Sequence, residues 1–171
     1  MNKIERRSCI FKVLFQCAFW LMPIYAFLYW LMVYWYYNPA HYHALVISHN
    51  PLIQLAGFIL SLIPIAIIMY ILRQLVHLFK NYEQHKIFHI DNVNLYHKIG
   101  KGLMIVAIVR WFTQVAINFI LTIHVIGFHM SYDFTGFAHS LVLFIIGAIT
   151  VLISWVMSEA YKISSDSAEI I

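Results

Sequence analysis

Arg110, Gln114, Asn118 and Thr122 recur every four residues within an otherwise apolar stretch, and His124 returns to the same side. On a helix this spacing makes one slanting polar ridge. A guanidinium, two amides, a hydroxyl and an imidazole so arranged could hold an anion, line a path for a polar solute, or join helices by hydrogen bonds. Lipid tails satisfy none of these groups, so the ridge is expected to face the interior of the protein, a partner chain or a wet cavity. Arg110 lies seven residues beyond Leu103, about 10 Å inside the apolar boundary at ~1.5 Å per residue. Three readings of it stay open. It snorkels to the headgroups, pairs with Glu159, or meets an anionic ligand or lipid headgroup.

The ten histidines raise metal chemistry next. His41, His43, His49, His124, His129 and His139 fall on one predicted side of the membrane, with Asp133 in the same region. Imidazoles and a carboxylate bind zinc, copper or nickel when three or four converge. His124 and His139, at similar depth on adjacent helices, are the sensible pair for haem. Against this, His41-x-His43 is a common loop pattern and no standard zinc spacing occurs. The reading kept is that these are interfacial polar residues and that the chain has no resident cofactor. Enzymatic chemistry is not expected either. Asp133 and Glu159 belong to opposite sides of the bilayer, so they form no acid–base pair. Cys9 and Cys17 fall in a basic flank and inside a span, where no disulfide is expected.

The elements that must position these residues are four apolar stretches, at 13–36, 52–72, 103–125 and 137–157. Each approaches or exceeds the ~20 residues that cross a ~30 Å hydrocarbon core. Composition agrees: 63% of residues are hydrophobic and 11% charged, against about 25% charged in a soluble domain. No polar stretch is long enough for a second domain, so residues 1–171 read as one membrane domain.

The net charge of +4 is distributed by position. Lys3, Arg6, Arg7 and Lys12 precede the first span; Arg73, Lys80, Lys86, Lys98 and Lys101 separate the second and third; Lys162 follows the fourth. The connections 37–51 and 127–136 contain no Lys or Arg. This asymmetry predicts both termini and the central connection in the cytoplasm. The basic charge then faces anionic lipid, and nucleic acid is not an expected partner. The first apolar run exceeds the ~15 residues of a secretory signal's core, so it is read as an anchor.

The fold expected is all-α: an integral membrane four-helix bundle with a helical cytoplasmic hairpin at 73–102 between helices two and three. Leu72, Leu75, Val76 and Phe79 continue the second helix past the membrane, and a break is expected near 84–88. Asp91 to Ile99 reads as an amphipathic helix along the inner surface, with Gly100 and Gly102 flanking the third span. Pro23 is expected to bend the first helix. Small residues mark packing grooves: Gly57 and Ser61 on helix two, and Ser140, Gly147, Thr150, Ser154 and Ser158 on helix four. The polar ridge of helix three is expected to pack against that last groove.

The run His77-Leu-Phe-Lys-Asn-Tyr-Glu-Gln-His-Lys-Ile-Phe88, then Asn92-Val93, Ile99-Gly100 and Ile153-Ser-Trp-Val-Met-Ser-Glu-Ala160, resembles the small four-helix bacterial membrane proteins grouped as domain of unknown function 2975. His89 stands where that family usually has Ser or Thr, and Asp91 is expected to take over the capping. The resemblance implies residence in the bacterial inner membrane, no established enzymatic role, and frequent association with a small helix-turn-helix regulator. The function expected is therefore non-enzymatic and regulatory. The chain would bind a small ligand or a protein partner through 73–102, or form a homo-oligomer within the lipid bilayer. An oligomeric transporter or channel using Arg110, Gln114, Asn118 and His124 is the alternative. Metal or haem binding by the outer histidines is a second alternative.

Overall fold

A chain immersed in lipid must satisfy its backbone hydrogen bonds within itself, and long helices do this residue by residue. The computed structural model describes residues 3–36, 51–86, 89–122 and 134–169. They form α1 (Lys3–Tyr36), α2 (Pro51–Glu83), α3 (Ile90–Thr122) and α4 (Phe134–Glu169). All four contain a segment long and apolar enough to cross a membrane. With 33 to 36 residues each, the helices are about 50 Å long. They outrun a ~30 Å hydrocarbon core. Pro23 and Pro64 lie inside α1 and α2, which continue through them.

The helices alternate in direction, so the start of α1, the end of α4 and the α2–α3 turn share one end of the molecule, here the tip. The packing is serial: α1 on α2, α2 on α3, α3 on α4, with no other pair in contact among the described residues. The four apolar helices expected are present, and they pack in series. α3 meets α2 through Ile99, Gly102 and Val106, and α4 through Val93, Gly100 and Met104. Those two stripes lie roughly 150° apart around α3, at 100° per residue. On α2 the stripes facing α1 (Gly57, Ser61, Phe79) and α3 (Ile71, Leu78) are about 75° apart by the same geometry. Since α2 and α3 are antiparallel, both turns fold the outer helices toward one side. The section is a U, open between α1 and α4.

Ile71, Leu78, Ile99 and Val106 form the buried core, with Ile67, Ile68, Leu75, Tyr82, Leu95, Tyr96 and Leu103 packed around it. This core belongs to the tip half of α2 and α3. Elsewhere the surface is apolar, with Trp20, Met32, Trp155 and Val156 all exposed. Apolar surface this extensive is what lipid would cover.

Gly100 and Gly102 lie inside α3 rather than before it. Residues 91–99 are therefore its first turns, packed against α2 and α4, and not a separate helix along a membrane surface. The reason is close approach. A β-carbon on Gly100 would stand 2.8 Å from the Gly147 carbonyl oxygen, and one on Gly102 would stand 2.8 Å from Ile71. Glycine at these positions lets α3 run on between its neighbours.

Candidate functional site

The tip is where polar side chains converge. α2 ends in a left-handed cap: the Lys86 amide donates to the Asn81 carbonyl at 3.1 Å and the His85 amide to that of Tyr82 at 3.2 Å. His85 occupies the left-handed position, φ 59°, that glycine usually takes. On the far side of the turn, the His89 carbonyl accepts from the Asn92 amide at 3.0 Å. The Asp91 amide lies 3.3 Å from His89 Nδ1. His89 thus stands as the N-cap itself, correcting the expectation that Asp91 takes this role.

Asn92, fully buried at 0% exposure, ties the turn together. Its Oδ1 accepts from Asn81 Nδ2 at 2.9 Å, and its Nδ2 donates to the Lys86 carbonyl. One residue on, the Val93 carbonyl accepts from Ser154 Oγ of α4 at 3.0 Å. The Tyr82 and Tyr96 hydroxyls meet at 2.8 Å between α2 and α3. α1 joins through Lys12 Nζ, which donates to Glu83 at 2.5 Å, and through Phe11 and Phe15 stacked on Phe79. Each helix is thus bound to the next at this end.

The predicted ridge has a different setting. Arg110 is about five whole turns beyond Asn92 on the same side of α3. Arg110 and Gln114 point into the shorter arc between α2 and α4, the concave side of the U, yet both are exposed. They do not pack against α4, which meets α3 through Gly147, Val151 and Ser154 instead. Asn118 and Thr122 continue α3, but their side chains, and all of His124, lie outside the described residues. Arg110 and Glu159 do not pair. The Trp111–Phe137 ring contact puts Arg110 level with the start of α4, whereas Glu159 lies past Ser154, near the level of Val93. Glu159 instead faces Lys162 at 3.4 Å.

The small residues of α4 divide by neighbour. A β-carbon on Gly147 would stand 2.8 Å from the Gly100 carbonyl oxygen, so there the backbones touch. Ser140 and Ser154 are buried, and Ser140 Oγ has no partner among the described residues. Thr150 bonds its own Ile146 carbonyl at 2.8 Å, and Ser158 is half-buried. On α2, Gly57 and Ser61 receive an aromatic ring: Trp30 lies over Gly57 and its Nε1 donates to Ser61 Oγ at 2.8 Å. Of the metal candidates only His139, exposed on α4, is described. His41, His43, His49, His124, His129 and Asp133 lie outside the described residues. Among the described residues no three His, Cys, Asp or Glu side chains gather.

The sequence profile of a family described as proteins of unknown function, DUF2975, matches residues 13–171. The chain belongs to the DUF2975 family. No curated protein and no solved structure matches it. The segments that resemble this family are also the segments of the tip: Asn81, Tyr82, Glu83, Asn92, Val93, Gly100 and Ser154 all fall within them. Sequence reasoning did not connect these side chains. One signal was present, because Asn81 and Asn92 stand almost evenly on either side of the break at 84–88, as partners across a helical hairpin must.

Proposed function

We propose that this DUF2975 protein is a non-enzymatic, multi-pass protein of the bacterial inner membrane that acts in regulation by binding a partner at its tip. The asymmetry of Lys and Arg supports placing the tip and both chain ends in the cytoplasm. The observation that carries the reading is the latched tip. Four helices longer than a bilayer needs are tied in series at that end around a turn held by the buried Asn92, and the outside of that end is polar. Lys80, Gln84, Lys86, Asn94, Lys98 and Lys101 are all exposed there. A rigid polar surface held clear of lipid suits protein recognition, since little ordering is needed on binding.

The test is photo-crosslinking in cells from Asn94 and Lys98, with Ile145 and Val156 on the apolar surface as controls. One defined protein should be captured from the tip positions alone, and Lys98→Glu with Lys101→Glu should abolish the capture. Equal capture from the controls, or none from the tip, overturns the proposal. The oligomeric transporter reading draws on one observation, the exposed Arg110 and Gln114 in an open groove. It requires several copies, and a monomer in nanodiscs removes it.

A further inference from the structure

The concave side of the U holds a charge, Arg110, for which the described residues supply no counter-ion. Three interhelical contacts set the depth of each residue: Trp30–Ser61 between α1 and α2, Ile71–Gly102 between α2 and α3, and Trp111–Phe137 between α3 and α4. They bring Arg110, Tyr29 and His139 to one level. Around α1, Tyr25 and Tyr29 lie on the side turned from α2 toward α4; they stack at 6.3 Å and are 65% and 56% exposed. Arg110 and Gln114 face the same space from α3.

The described acidic side chains lie at the tip instead: Glu83 against Lys12, Asp91 exposed beside His89, and Glu159 facing Lys162. A cation exposed at membrane depth is costly unless an anion or water reaches it. A helical side chain leans toward the N-terminus of its helix, so Arg110 leans toward the tip and the nearer headgroup layer.

We propose that the groove between α1 and α4 is a site for one anionic phospholipid, whose headgroup oxygens pair with Arg110 and whose chains fill the gap between the two helices. The guanidinium fork matches phosphate oxygens two at a time. Gln114 and the tyrosine hydroxyls add neutral donors beside it. A second copy of the chain fits less well, because the described part of this sequence offers no carboxylate at that depth. The site is separate from the tip surface and does not depend on a partner there.

Native mass spectrometry of the full-length protein, released from nanodiscs of equal phosphatidylglycerol and phosphatidylcholine, tests it. The wild type should retain phosphatidylglycerol in preference, and Arg110→Gln should reduce that preference about tenfold, the equivalent of losing one charge-assisted contact. The double variant Lys98→Gln, Lys101→Gln, on the convex side, should retain it unchanged. Equal retention of both lipids, an unaltered Arg110→Gln, or an equal loss in the lysine variant overturns the site. So does a lipid-free dimer, which would give the groove to a second copy. Should Arg110→Gln not fold, competition on the wild type decides. Lysophosphatidylglycerol should displace the bound lipid and glycerol phosphate should not, and equal displacement by the two overturns the assignment.

Discussion

Asn92 and Arg110 occupy the same side of the same helix, one fully buried and hydrogen-bonded, the other exposed. They differ in depth, Asn92 lying in the first turn of α3 and Arg110 about five turns on. The difference comes from their neighbours. At the tip the α2–α3 turn folds over Asn92, and polar ties join each helix to its neighbour in series. At the level of Arg110, α1 and α4 stand apart and the concave side is open. A polar residue in a membrane helix is therefore a strut or a binding group according to how far the adjacent helices converge.

The contrast is tested most severely where backbones touch. Gly147→Val would drive side-chain atoms into Gly100 and Met104. It should cost more than about 3 kcal/mol, or abolish folding, in thermal unfolding followed by circular dichroism. A wild-type midpoint would show that α3 and α4 do not pack here. Next is the paired comparison within α3. Asn92→Ala leaves Asn81 and the Lys86 carbonyl unpaired and should cost about 2–3 kcal/mol, whereas Gln114→Ala should stay within ~0.5 kcal/mol. Equal losses would erase the distinction between a closed and an open end. His85→Gly should stabilise the tip by about 0.5–1 kcal/mol, because the left-handed position is strained for any residue with a β-carbon. Amide exchange of residues 81–86 would slow accordingly, and faster exchange would refute the cap. Smallest is Ser140→Ala, which removes a buried hydroxyl without a described partner. It should be neutral or slightly stabilising, by up to ~1 kcal/mol; a clear loss would reveal a partner outside the described residues.

Much of the architecture was legible because it follows from local rules. Apolar runs of span length announce helices, and the break before α3 was readable from the polar stretch at 84–88. The continuity of α3 through Gly100 and Gly102 was not. Glycine ends some helices and permits close packing in others, and only the facing residue decides which. For Gly57 that residue is an indole; for Gly147 it is another backbone. The ridge from Arg110 to Thr122 was visible as a period of four, but its direction depends on the angle between α2 and α4 around α3, which no single helix encodes.

By itself the amino-acid sequence determined four long helices, the concentration of basic charge at one end, and the family, since composition and period act residue by residue along the chain. Only the tertiary structure decided that the array is open, that Asn92 and its partners close one end, and that Arg110 looks into a groove. Those outcomes depend on which side chains meet across helices, and hence on packing distances of a few ångströms that no local pattern carries.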